Sequence, residues 1–140
     1  MRSINPEMEE AVRILGGGRL LAIGTLRPLP PGTHGIHLHA VGSCQAPAFT
    51  SAGGHWNPTA HQHGFDNPMG PHQGDMRNVV AGSDSVAVIN TSTGGGILRG
   101  TGGALDADGL AIVIHASADD YRTDPAGNSG ARIACGVVAP

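Results

Sequence analysis

The chain contains no lysine, and all 8 of its basic residues are arginine. Against 11 acidic residues they leave a net charge of −3. That balance excludes nucleic-acid binding through a basic surface. Aromatic residues are also scarce, 3% of 140, so a core must be built from Val, Ile, Leu and Ala. No apolar run approaches the ~18 residues of a membrane-spanning helix, and the longest, Leu20–Leu26, is strand-sized. No secretory leader shows, since Glu7, Glu9 and Glu10 fall where its apolar stretch would lie. The two cysteines, Cys44 and Cys135, are too far apart for a CxxC metal or redox motif. They are either free core thiols or one long-range disulfide, which by chain entropy stabilises by about 4–5 kcal/mol.

What the chain has in excess is glycine, 23 residues, with 10 prolines beside it. No repeat period accompanies them, and β-branched runs are interspersed. This is the turn chemistry of one all-β domain, 1–140, with long loops. Short strands are expected at Arg19–Arg27, Gly35–Val41, Asp75–Ala81, Val86–Thr91, Ile97–Thr101, Leu110–His115 and Arg132–Val138. A proline-rich turn at Pro28–Gly32 separates the first two. Ahead of them, Asn5 and Pro6 suit a helix start, and Met8, Ala11, Val12 and Leu15 follow helical spacing. A short N-terminal helix is therefore expected, with a strand at Ala11–Leu15 as the alternative. Two irregular stretches, Gly42–Gly74 and Ala118–Gly130, are too long for neutral connectors.

Seven of the 8 histidines lie between His34 and His72. His37 and His39 share one face of a strand through period-2 alternation, a two-nitrogen platform for a transition metal. His55, His63 and His72 follow on the long stretch, with Asp75 three residues further. Imidazoles with one carboxylate suit zinc or copper better than magnesium or calcium. The competing reading is a solvated, histidine-rich loop that binds metal adventitiously. His115 ends an apolar strand and gains weight only from the other histidines. His34 is expected to make a structural hydrogen bond and His61 to face solvent. Arg132 opens the last strand, as a surface charge or as an anion anchor beside a metal.

In combination, Gly35-Ile36-His37-Leu38-His39, Gly53-Gly54-His55-Trp56-Asn57-Pro58, His63-Gly64, His72-Gln73-Gly74-Asp75 and Gly127-Asn128-Ser129-Gly130-Ala131-Arg132-Ile133-Ala134-Cys135-Gly136 resemble copper/zinc superoxide dismutase of the bacterial type. The resemblance covers about residues 32–140. It implies a Greek-key antiparallel β-barrel or sandwich with two functional loops. It implies copper on His37, His39, His55 and His115, and zinc on His55, His63, His72 and Asp75, with His55 shared. It also implies that Asp119 links His37 to His63, that Cys44 and Cys135 form a disulfide, and that Arg132 guides the anion. The implied activity converts superoxide to O₂ and H₂O₂ by alternate reduction and oxidation of copper, with Arg132 and His55 as the catalytic side chains. A non-enzymatic copper/zinc carrier on the same fold is the alternative.

The family's steering lysines are absent, and Arg122 is the candidate substitute. The family also has two strands ahead of the equivalent of Arg19–Arg27, where this chain has 18 residues that read as helix. The N-terminal helix or a second copy in a homodimer is then expected to cover the exposed strand edges. The resemblance and a disulfide imply a periplasmic or otherwise extracytoplasmic protein, while the cytoplasm is not excluded because no leader is visible in this sequence.

Overall fold

The structure is a computed structural model and describes residues 2–3, 9–10, 13–15, 19–96, 98, 103–105 and 108–138. Among these residues ten strands follow in chain order: β1 Arg2–Ser3, β2 Glu9–Glu10, β3 Arg13–Leu15, β4 Leu21–Arg27, β5 Gly32–His34, β6 Ile36–His39, β7 Val79–Ala81, β8 Ala87–Ser92, β9 Ala111–His115 and β10 Arg132–Val137. Among the described residues the only helical piece is a 3₁₀ turn at Thr50–Ala52. All pairings among the described residues are antiparallel. One sheet runs β1-β10-β9-β6, and the other runs β2-β4-β8-β7-β5 with β3 also on β4. The chain is all-β, as expected.

Burial explains why these segments are strands. β8 alternates buried and exposed residues along Ala87–Ser92, which marks a sheet with one wet face. β9 is buried throughout because it lies between β10 and β6. Leu20, Ala22, Leu26, Ile36, Leu38, Met76, Ile89, Leu110, Ile112 and Ile114 make the main core. Trp56 is the one aromatic residue in that core.

Two expectations are corrected. The N-terminal segment is not a helix where it is described. Arg13–Leu15 pairs with Leu21–Ile23, and Glu9–Glu10 pairs with Leu26 and Arg27. An open β4 would leave a row of unpaired N–H and C=O groups, and satisfying them outweighs helical propensity. Likewise Arg2–Ser3 pairs with Gly136 and Val137 on β10. The chain's own strands thus pair along the edge of β4 and along two residues of β10. The second correction is β5. It lies where a turn was expected to end, pairing with β7, and His34 is its last residue. The strand expected at Ile97–Thr101 falls outside the described residues, except for Leu98.

The two long loops occupy residues 40–78 and 116–131. The first is tied to β6 by backbone bonds on both sides of Leu38. Trp56 donates to Leu38 O at 2.7 Å, Leu38 donates to Gly74 O at 2.9 Å, and Ala40 donates to Gly54 O at 3.0 Å. Gly74 has no room for a side chain, because a Cβ would strike the Leu38 carbonyl. A disulfide joins Cys44 of this loop to Cys135 of β10, packed with Phe49, Ala52, Ala111 and Val113 in a second small core.

Candidate metal centre

The loop attachments bring His55, His63, His72 and Asp75 up to the strand histidines, so that six histidines and two carboxylates, Asp75 and Asp119, meet at one end of the sandwich. Isolated backbone bridges pair His37 with Asp75 and His39 with His55. The ring of His55 lies 4.1 Å from that of His37 and 4.8 Å from that of His39, centre to centre. His115 approaches from the end of β9, its ring 4.9 Å from that of His37.

Each imidazole uses one nitrogen for the protein and leaves the other aimed inward. His37 donates from Nε2 to Asp119 Oδ2 at 2.7 Å. His39 donates from Nδ1 to the Gly53 carbonyl at 2.7 Å. His115 donates from Nδ1 to the Gly130 carbonyl at 3.0 Å. The remaining nitrogens, His37 Nδ1, His39 Nε2 and His115 Nε2, together with His55 Nε2, are buried without any partner. Unsatisfied buried polar atoms are rare and costly. One ligand nitrogen from each of these four residues lies within 4.8 Å of the others. Four neutral acceptors converging on one point fit a copper-type, all-imidazole set.

The other nitrogen of His55 belongs to a second set. His55 Nδ1 lies 2.9 Å from Asp75 Oδ1, 3.1 Å from His72 Nδ1 and 3.3 Å from His63 Nδ1. Asp75 Oδ1 is 3.1 Å from His63 Nδ1 and 3.2 Å from His72 Nδ1. Ligands about 2.0–2.1 Å from a tetrahedral zinc stand about 3.3 Å apart, so these spacings fit that ion closely. His37 also offers an atom within 4.8 Å of His55, His63 and Asp75. Its Nε2 is committed to Asp119, however, and its Nδ1 faces the first set, so His72 completes the second. Three nitrogens around one carboxylate oxygen cannot all be proton-mediated contacts, and a cation at their centre resolves the crowding.

Asp119 lies between the two sets. Its Oδ2 accepts from His37, and His63 Nε2 lies 2.8 Å from Oδ1. Asp75 takes two further donors, the backbone N–H groups of Gly64 at 3.0 Å and His72 at 2.9 Å.

Electrostatics keep the first set ready for a metal. Burial pushes His37 down to about 4 and His55 down to about 3, and it also lowers His39 and His115. These rings are neutral at neutral pH, as metal ligands must be. His63 behaves oppositely: burial works against its charged form, but the hydrogen bonds to Asp119 and Asp75 outweigh it and raise it to about 9. Burial opposes the anions of Asp75 and Asp119 as well, yet their histidine partners hold both carboxyls well below the usual range.

Arg132 pairs across the strands with His115. The ladder slips by one residue between Arg132 and Ala134, a bulge that turns the side chain. Its guanidinium donates to the Phe49 carbonyl at 2.9 Å, and it lines an open depression with Pro47, Ala48, Thr50, Gly130 and Ala131. Arg122 is exposed on the second loop. His34 makes its structural bonds, from Nδ1 to the His115 carbonyl at 2.7 Å and from Nε2 to the Pro30 carbonyl at 2.6 Å. His61 is exposed. Sequence reasoning missed the carbonyls of Gly53, Phe49 and Gly130, which no residue type reveals. It also missed Gly127, where a Cβ would collide with the Asp119 carboxylate and the His63 ring.

Comparison with known proteins places the chain in one family. The family model for copper/zinc superoxide dismutase matches residues 12–138. The superoxide dismutase-like protein YojM of Bacillus subtilis is 48% identical over 111 residues, covering 78% of this chain and 57% of that protein. Superoxide dismutase [Cu-Zn] 2 of Aquifex aeolicus is 45% identical over 115 residues, covering 79% and 66%. The Caulobacter vibrioides superoxide dismutase [Cu-Zn] is 44% identical over 117 residues, covering 81% and 67%. The chain therefore spans less than two thirds of the length of the first two relatives. Among solved structures, a double mutant of a superoxide dismutase-like protein from Bacillus subtilis aligns with a TM-score of 0.86 at 38% identity, covering 96% of this chain and 95% of that one.

Proposed function

Because the chain belongs to the copper/zinc superoxide dismutase family, we propose that residues 1–140 form one enzyme domain, which converts two superoxide ions and two protons to O₂ and H₂O₂. The observation that carries this reading is the pair of ligand sets meeting on the two nitrogens of His55. On this reading His37, His39, His55 and His115 hold copper, and His55, His63, His72 and Asp75 hold zinc. Copper would supply a one-electron redox cycle, and zinc a fixed positive charge that makes the shared ring acidic and keeps it oriented.

The chain's own residues supply the rest. His55 has both nitrogens inside ligand sets, so it carries no proton when both are engaged. When Nε2 is disengaged it takes up a proton there, and it can pass that proton to a peroxide anion leaving the same pocket. Arg132 carries a permanent charge in a protein that is net negative, and so supplies a local attraction for a small anion. The Phe49 carbonyl holds its guanidinium beside the open depression. Asp119 fixes the tautomers of His37 and His63 by accepting from Nε2 of each. The disulfide supports an extracytoplasmic location.

The test is to strip the protein, reload it with copper and zinc, and measure metal content and superoxide consumption together. One ion of each per chain with rapid consumption is the expected result. Full metal content without consumption would identify a carrier instead. Failure to retain copper in the wild type, or unchanged copper binding in His115→Ala, would overturn the ligand assignment.

A further inference from the structure

Asp119 can join His37 to His63 only if its carboxylate is held in place, yet it sits in an irregular loop, residues 116–131. Two hydrogen bonds from one neighbour hold its backbone. The Asp119 N–H donates to Asn78 Oδ1 at 2.9 Å, and Asn78 Nδ2 donates to the Asp119 carbonyl at 3.0 Å. Asn78 stands three residues after Asp75 and immediately before β7, so its backbone is anchored in the second sheet.

A closed circuit reinforces this clasp. The Asn78 N–H donates to the Tyr121 hydroxyl at 2.9 Å, and the Tyr121 N–H donates to Asp119 Oδ1 at 2.7 Å. Outside the circuit, the Arg77 guanidinium lies 4.4 Å from the centre of the Phe65 ring and 4.9 Å from that of Tyr121. The two rings meet edge to face at 6.0 Å. Phe65, Arg77 and Tyr121 each follow a residue of the centre by two positions: His63, Asp75 and Asp119. Three separate segments are thereby pinned together just outside the ligands.

We propose that Asn78 is a positioning residue for the zinc-side set, acting through Asp119. Its carboxamide matches both backbone groups of Asp119, and asparagine can make this pair of bonds because it carries a donor and an acceptor on one short arm. Removing it leaves the carboxylate on a loop without its main backbone support, so His63 loses the partner that fixes its tautomer. Partners of this kind around a ligand are worth about 10–100-fold in metal affinity.

The inference rests on the assignment of His55, His63, His72 and Asp75 to zinc. Its test is a double-mutant cycle on zinc affinity, read by chelator competition on copper-free protein. Asn78→Ala is expected to weaken zinc at least about 10-fold in the wild-type background. In the Asp119→Ala background the same change is expected to cost less than about twofold, because the side chain it acts through is gone. Equal losses in both backgrounds, or none in either, would overturn the role of Asn78. Asn78→Asp keeps the acceptor and loses the donor, so it should fall between wild type and Asn78→Ala and serves if the alanine variant does not fold. Wild-type protein that binds no zinc would sink both the zinc assignment and this proposal, whereas zinc-binding wild type with an unaffected Asn78→Ala would sink the proposal alone.

Discussion

Replacing both Cys44 and Cys135 with alanine tests how the first loop is held to the sandwich. The two residues are 91 positions apart, so the bridge removes a long closed loop's worth of freedom from the unfolded chain. The chain-entropy argument assigns this about 4–5 kcal/mol at 25 °C. For a domain of this size, an unfolding entropy of about 2 cal/mol/K per residue converts that loss to a fall in Tm of about 15 °C. The effect should extend beyond stability. The same loop carries the Gly53 carbonyl that orients His39 and the Phe49 carbonyl that holds Arg132. Thermal unfolding of metal-free protein, followed by circular dichroism, reads the first effect, and thiol reduction of the wild type separates the cross-link from the lost sulfur volume. Superoxide consumption by loaded protein at low and high ionic strength reads the second. A reversible Tm loss below about 5 °C would refute the unfolded-chain argument. An intact salt dependence in the double variant would show that Phe49 holds Arg132 without help from the bridge.

Three further outcomes are expected. Arg132→Ala should retain both metals but lose superoxide consumption at low salt by about 10-fold or more, with a flatter salt dependence; an unchanged rate would remove its guiding role. Gly127→Ala forces a Cβ against Asp119 and His63 at a φ of 68°, so zinc titration should show affinity lowered by at least about 10-fold. In metal-free protein, stability should peak near pH 6.5. His37 and His55 sit at about 4 and about 3, so below 6.5 the unfolded chain binds more protons and stability falls with pH. His63, raised to about 9, contributes fully below 6.5 and loses that contribution as pH rises through 9. Urea midpoints that stay flat between about pH 4.5 and 8.5 would contradict these shifts.

Most of the centre was legible in the sequence because its residues are chemically conspicuous. A His-x-His pair on a strand, three more histidines and an aspartate on an aliphatic-poor loop have few other uses, and family resemblance sorted them into two sets. The strands with strong apolar runs, such as Ala111–His115, were legible for the same reason. The N-terminal segment was misread because Asn5, Pro6 and the spacing of Met8, Ala11, Val12 and Leu15 satisfy local helix rules, while the demand for strands comes from β4 and β10, far along the chain. β5 was hidden because Gly32 and Thr33 carry little strand signal, and their pairing with Val80 and Ala81 is a long-range fact. The clasp of Asn78 on Asp119 joins positions 41 residues apart. An asparagine near a strand start says nothing by itself about such a partner.

The division of labour between sheets and loops orders the two sets. His37 and His39 sit on β6 and His115 on β9, strands paired over four positions from Ile36↔Ile114 to His39↔Ala111. Three of the nitrogens proposed for copper are therefore placed by paired strands with a packed core behind them. The residues proposed for zinc, His55, His63, His72 and Asp75, all lie on the 40–78 loop, which holds no described strand and is tied down by backbone bonds beside Leu38 and by one disulfide. A loop rich in glycine loses much backbone entropy on ordering, and an ion that draws four of its side chains together offsets that loss. The shared ring, His55, belongs to this loop. On the proposed reading, the fourth copper-side nitrogen is thus presented by the zinc-ordered segment, so zinc stabilises the loop and completes the copper set through one side chain.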